Sequence, residues 1–334
     1  MATVHPDPRH ALFDALLAAN RVLLTGPVEP DGDSLGACLA LQRVLRRHGI
    51  QTDVCGMPAE RYAWMPDIGG VIEDDRVFPQ YDIVVVLDGD RHRLVPSVAA
   101  AFAASPVKAI IDHHASTRSD GYAHAWIEPT ATSTTEMLYG FLVERGEAID
   151  PALATLLYTG AIFDTGGFRY SNTTPATHRM AAELMTQGID FSGICTRILM
   201  ERSQAGLRCA GHVFTQTRFY ADGEIAIGRV SLADRERFGL VPGDLEGVVD
   251  SLVHTQGVEV AVLLIQRSPE VVKASLRSRG RVDVGQIAQG LAPTGGGHPK
   301  AAGASLTHTM DSAESLVVHT LGAALRREDR VSAK

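Results

Sequence analysis

Short, almost uninterrupted apolar runs mark the first half of the chain at residues 83–87 and 109–111, after a compact β-rich run at 21–25. Runs of this kind belong to strands covered on both faces by crossover helices, so they predict a parallel sheet. Residues 34–48 repeat apolar positions at helical spacing after a loop carrying Pro27, Pro30 and Gly32, and Gly49 can end that helix. Ser133 with Glu136 three residues on has the form of a capping box, which predicts a helix to about Arg145. Pro151 suits a first helical turn, and the segment it opens runs through Tyr158 to Asp164. Residues 176–209 turn helical. Beyond them, β-like runs at 213–220, 225–230, 258–265 and 271–276, with a helical stretch near 245–254, describe a second sheet. Residues 312–327 read as a surface helix and 328–334 as a polar tail. The expected fold class is therefore α/β: an N-terminal parallel-sheet domain (1–185), a helical linker (186–210) and a smaller C-terminal α/β domain (211–330).

A chain of 334 residues exceeds the size at which single cores usually stop growing, which agrees with two domains. Hydrophobic residues at 45% and charged residues at 21% fit a globular protein, and no apolar run approaches the roughly 18 residues that suggest a membrane span. Residues 1–10 lack the basic and apolar regions of a signal peptide, so cytoplasm is the expected location. Cys38, Cys55, Cys195 and Cys209 are scattered, giving neither a zinc motif nor a disulfide framework. A net charge of −8 argues against a protein that coats long duplex nucleic acid.

The candidate chemistry is carried by acids that follow apolar stretches: Asp31-Gly32-Asp33, Asp88, Asp112-His113-His114 and Asp164. Such acids are expected at the carboxyl ends of neighbouring parallel strands, where open α/β sheets place their sites. Alone, Asp-Gly-Asp reads as a turn. Together, several carboxylates and one or two imidazoles make an oxygen-rich set that favours Mn²⁺, with Mg²⁺ as the second choice, over zinc. Two such ions sharing a bridging carboxylate would relieve the repulsion between the acids.

The order Pro-Asp-Gly-Asp-Ser-Leu-Gly, Val-Val-Leu-Asp, Asp-His-His and Phe-Asp-Thr-Gly-Gly-Phe resembles the DHH phosphoesterase superfamily. Ser275-Leu276-Arg277-Ser278, Val282-Asp283-Val284 and the run Gly295 to Gly303 look like its associated substrate-binding domain. The stretch from Asp164 to Pro175 is most similar to the branch that degrades short oligoribonucleotides and 3′-phosphoadenosine 5′-phosphate (pAp). That resemblance implies an enzyme, a phosphoric ester hydrolase giving mononucleotides and AMP. Relatives that hydrolyse cyclic di-AMP supply the alternative.

The resemblance also implies roles. Asp31 would bind the first ion and Asp33 the second, Asp88 would bridge them, and His113 and Asp164 would complete the second. Asp112 would orient His113, and His114 would face the substrate phosphate. Arg277, Ser278, Gly296, Gly297 and His298 would bind substrate, a short single-stranded RNA or small nucleotide, and a homodimer is compatible with the chain. One departure stands out: where the pattern has a histidine ligand of the first ion, this sequence has Pro27, which has no donor atom. Glu29 and His92 are conceivable replacements at the wrong spacing. A weakened first ion follows, and with it reduced activity or a nucleotide-binding protein with little turnover.

Overall fold

The computed structural model describes residues 7–28, 30–56, 60–78 and 80–332, with side chains of the last helix described to residue 328. Glu29 falls outside them. The chain divides into two compact units, Met1–Glu201 and Arg202–Lys334, the division falling inside the segment read as the linker.

The first unit runs α1 (Pro8–Ala18), β1 (Arg21–Thr25), α2 (Gly32–Arg47), β2 (Gln51–Cys55), β3 (Val71–Ile72), β4 (Ile83–Leu87), α3 (Pro96–Ala104), β5 (Val107–Asp112), β6 (His124–Ile127), α4 (Thr134–Glu144), α5 (Pro151–Asp164), α6 (Pro175–Met185) and α7 (Phe191–Cys195), closed by a π-helical turn at Thr196–Met200. Its six strands form a parallel sheet in the order β3-β2-β1-β4-β5-β6. The order reverses between β1 and β4, and a crevice opens at such a switch point beyond the carboxyl ends of the strands. Every residue of β4 is buried, as its continuous apolar run requires. Leu24, Val85 and Ile111 pack against α1, α2, α4 and α5, while Leu23, Val84, Val86 and Ile110 face Val98, Ala101 and Phe102 of α3.

Helices α2 and α5 cross closely because of glycine: a Cβ on Gly36 would stand 2.7 Å from the Leu156 carbonyl oxygen. The arginines of α2 tie it to neighbouring elements. Arg43 makes a two-toothed contact with Asp150, the N-cap of α5, and reaches Asp67 at 2.8 Å; Arg47 also holds Asp150, and Arg46 donates to the Thr52 carbonyl at 2.9 Å.

The second unit runs α8 (Gln204–Gln216), β7 (Arg218–Tyr220), β8 (Ile225–Val230), α9 (Leu232–Phe238), α10 (Val248–Val253), β9 (Val260–Ser268), β10 (Val271–Ser278), α11 (Val284–Leu291), β11 (Gly296–His298), β12 (Ala301–Leu306) and α12 (Met310–Ser332). Its sheet has the order β11-β12-β10-β9-β8-β7, antiparallel except for β8 against β9. Alternate residues of β8 and β9 serve two cores: Ile225, Ile227, Val260 and Val262 meet α11 and α12, while Ala226, Val230, Ala261 and Leu263 meet α8 and α10.

Three expectations need correction, and the glycine run takes a form not foreseen. Residues 213–216 continue α8, because Gly206, Cys209, Ala210 and Val213 form a buried helical stripe that outweighs their β-like composition; only Arg218–Tyr220 is strand. Asp164 ends a helix, not a strand. Gly296 and Gly297 form an edge strand with His298, where Gly297 sits at φ +137° and a Cβ would lie 2.5 Å from the Ala301 oxygen. The helix over 312–327 extends to Ser332, into the expected tail, and buries Ala313, Val317, Leu321 and Leu325. No helix among the described residues is long and apolar enough to cross a membrane.

Candidate metal centre

The loops that leave β1, β4 and β5 at the switch point deliver most of the acidic residues. After β1 the chain turns through Pro27, which is buried with its ring against Gly89, and Val28 N–H donates to the Arg93 carbonyl at 3.0 Å. Asp31 caps α2, its Oδ1 accepting from the amides of Asp33 and Ser34 at 3.1 Å each. The turn reading of Asp-Gly-Asp is thus correct for one oxygen of Asp31. Asp88 follows β4 directly and holds φ +56°, a left-handed conformation that Asp tolerates better than most residues and that is common where a side chain must be aimed at a site.

His113 is the hub. Its Nε2 lies 3.0 Å from Asp164 Oδ2, 3.4 Å from Asp88 Oδ1 and 4.0 Å from Asp33 Oδ2, and its ring is almost wholly buried. Nδ1 lies 3.3 Å from the Ala131 carbonyl, the partner that sets the tautomer when it receives the Nδ1 proton. Here the expected role of Asp112 changes. Its Oδ1 takes the Nδ1 of His114 at 2.7 Å and the His114 amide at 3.2 Å, and Thr117 donates its hydroxyl to the other oxygen. Asp112 therefore orients His114, because the backbone turn after β5 sends the two imidazoles to different partners. His114 remains 26% exposed at its side chain, within reach of solvent.

Asp33 is fully buried, its Oδ2 accepting from Thr134 N at 2.7 Å and its Oδ1 from Thr135 N at 3.0 Å and Thr135 Oγ1 at 2.7 Å. These amides are the first turn of α4, where the helix dipole favours negative charge. Gly160 of α5 makes room, since a Cβ there would overlap Asp33 Oδ1 and Thr135 Oγ1. Asp164 reaches the site from the far end of the same helix.

Without cations, so many acids in one place resist ionisation. Burial, then the charges of Asp88 and Asp164, push Asp33 up to about 8 and drive Asp31 well above the ordinary carboxylate range. Burial also raises Asp164, with His113 pulling it back. Burial works against a charged His113, yet its bonds to Asp164 and Asp88 carry the ring up to about 12. Divalent cations would relieve this conflict by replacing the shared protons. The donor set fits them: Asp33, Asp88 and His113 offer ligand atoms all within 4.8 Å of one another, and so do Asp88, Asp112 and His114.

Of the proposed replacements for the missing histidine, His92 stands exposed, 3.6 Å from Asp90, and joins neither group. Asn172 ties the loop after α5 by donating to the carbonyls of Asp164 at 3.1 Å and Thr132 at 3.3 Å. Sequence reasoning does not find residues 131–135 or Gly160 as site components. Their one signal was a run of hydroxyl residues before a helix and a glycine inside one.

In the second unit, Arg277 of β10, Ala301 of β12 and His298 of β11 align across the sheet, which brings Arg277 and Ser278 to the end where Gly296, Gly297 and His298 lie. Arg277 pairs with Asp250 at 2.9 Å, and Ser278 donates to Glu259 at 3.2 Å. Arg279 donates to the carbonyls of Val253 and Thr255 at 3.0 Å each, which caps the end of α10.

A parallel sheet with buried acids and imidazoles at its switch point, followed by a second mixed sheet, is an arrangement that could hold divalent metal, and comparison with known proteins gives its class. The DHH family N-terminal domain matches residues 21–161, and the DHHA1 domain matches residues 223–324. The bifunctional oligoribonuclease and PAP phosphatase NrnA of Thermus thermophilus is 30% identical over 308 residues, covering 90% of each chain. The cyclic-di-AMP phosphodiesterase PdeA of Listeria monocytogenes is 23% identical over 94% of this chain and 49% of its own. An exopolyphosphatase-related protein from Bacteroides fragilis superimposes with a TM-score of 0.84 at 24% identity, covering 100% of both chains. The chain belongs to the DHH family and is a phosphoric ester hydrolase.

Proposed function

We propose that the protein is a divalent-metal-dependent phosphoesterase that cuts short oligoribonucleotides to mononucleotides and converts pAp to AMP. The observation that carries this reading is the meeting of His113 with Asp33, Asp88 and Asp164 within 4.0 Å of one imidazole nitrogen. The choice of substrate is supported by the NrnA relative, whose likeness runs through both domains.

In this reading Asp31, Asp33, Asp88, His113 and Asp164 would hold the divalent ions, with Asp33, His113 and Asp164 on one side and Asp31 on the other. Carboxylate oxygen with one imidazole suits Mn²⁺ best and Mg²⁺ next. Divalent ions bound there would polarise a phosphoryl oxygen and make a water acidic enough to serve as nucleophile near neutral pH. Pro27 adds no donor atom, so the Asp31 side depends on substrate oxygen or water to complete it. His114, steadied by Asp112, donates to the phosphate. Arg277, Ser278, Gly296, Gly297 and His298 bind the nucleotide, with the two glycines admitting phosphate close to the backbone. The substrates are short, single-stranded and cytoplasmic.

Replacing Asp88 with Ala should abolish Mn²⁺-dependent release of AMP from pAp and of mononucleotide from a dinucleotide. Undiminished turnover in that variant would refute the proposal. A second reading, hydrolysis of cyclic di-AMP, is favoured by the PdeA relative. Rates on cyclic di-AMP, a linear dinucleotide and pAp, measured on one preparation, separate the two.

A further inference from the structure

Residues 131–135 join β6 to the first turn of α4 and hold no residue assigned to metal or substrate, yet four site residues are tied to them. The Ala131 carbonyl is 3.3 Å from His113 Nδ1. The Thr132 carbonyl accepts one proton of the Asn172 amide, whose other proton goes to the Asp164 carbonyl. Thr134 binds two carboxylates from different elements: its N–H donates to Asp33 Oδ2 at 2.7 Å, and its hydroxyl donates to Asp88 Oδ1 at 3.3 Å. Thr135 takes the remaining oxygen of Asp33.

These contacts are not needed to start the helix. Ser133 is the N-cap, and its hydroxyl already accepts from the Glu136 amide at 3.0 Å. Glu136 does not return to Ser133 to close the capping box; it accepts instead from Thr132 N at 2.7 Å and from Thr177 Oγ1 at 2.9 Å. The segment is thereby held from behind, and residues 132–135 are each fully buried. Asp88, itself the left-handed residue that follows β4, has its carboxylate held from a second element by the Thr134 hydroxyl.

We infer that Thr134 is a positioning residue of the metal centre: its amide and hydroxyl together set the separation of the Asp33 and Asp88 carboxylates. This rests on the metal-site reading above. Supporting groups of this kind, one bond behind the ligands, typically change metal affinity about 10-fold to 100-fold when removed. Thr134→Val keeps the shape and the amide and removes only the hydroxyl.

The test is a Mn²⁺ titration of the full chain, with free ion followed by electron paramagnetic resonance, on wild type, Thr134→Val, Thr134→Ser and Thr134→Ala. The melting temperature of each metal-free protein is recorded alongside. The inference predicts Mn²⁺ binding about 10-fold to 100-fold weaker in Thr134→Val and near-wild-type binding in Thr134→Ser. If Thr134→Val melts early, the Ser and Ala variants, which differ only in the hydroxyl, carry the comparison: Ser is expected to bind tightly and Ala weakly. Equal affinity in those two overturns the inference. A wild-type chain that takes up no Mn²⁺ overturns it together with the metal-site reading. Mn²⁺ uptake without hydrolysis of pAp or dinucleotide counts against the substrates alone, and the variant comparison still decides the role of Thr134.

Discussion

Gly160 offers a sharp test of how the site is built, because it lies in the middle of α5, where alanine is intrinsically better. In Gly160→Ala the helix would gain about 1 kcal/mol of propensity. The new methyl would overlap Asp33 Oδ1 and Thr135 Oγ1 and stand 2.6 Å from Thr135 Cγ2, all three on buried, hydrogen-bonded residues with little room to move. Overpacking of that kind costs about 1–3 kcal/mol, so the net change is a loss of roughly 0–2 kcal/mol. The larger effect falls on the site: Asp33 must leave its bonds to α4, and Mn²⁺ affinity should drop about 10-fold to 100-fold. Gly140 in α4 is the control, being exposed with nothing within 4 Å of an added Cβ, so Gly140→Ala should gain up to about 1 kcal/mol and bind Mn²⁺ normally. Urea unfolding in EDTA reads the stability term, and Mn²⁺ titration reads the site. A Gly160→Ala protein as stable as Gly140→Ala and with unchanged Mn²⁺ affinity would refute the argument.

Two further predictions follow from the same geometry. Pro27→His should raise the number of Mn²⁺ ions bound without nucleotide; an unchanged count would mean that Pro27 does not occupy the position of the missing ligand. Burial pushes Asp150 up, but Arg43 and the Leu153 amide pull it harder, down to about 2. A carboxylate depressed by folding stabilises the fold fully above its unfolded pKa of about 4 and loses that contribution as pH falls towards 2. Asp150→Asn should therefore lower the melting temperature at pH 7 and narrow the gap to wild type as pH drops through that window. A gap independent of pH would contradict the assignment.

The sequence showed the parts of the fold that are buried on both sides. Strands β1, β4 and β5 announce themselves as apolar runs, and the acids that follow them mark the switch point. The acids as a group read as strand-end ligands, but Asp164 ends α5, a helix buried from Leu153 to Ile162 except at Thr155, and a helix with so little polar face resembles a buried strand in sequence. The edge strand at Gly296–His298 escaped because glycine weakens a strand and here permits one. The partners of the ligands were the least visible. Ala131 acts through its carbonyl and Thr134 partly through its amide, and backbone groups leave no trace in residue identity. The exchange of Asp112 from His113 to His114 turns on one dihedral path after β5 that no spacing rule specifies.

The most direct test of the metal-centre account is the number of Mn²⁺ ions bound per chain, counted by elemental analysis of the full-length protein with and without pAp. The account predicts one tightly held ion alone, on the His113 and Asp164 side, and a second when the phosphate of pAp completes the Asp31 side. Hydrolysis of pAp that continues in excess EDTA, with no ion bound in either state, would contradict it.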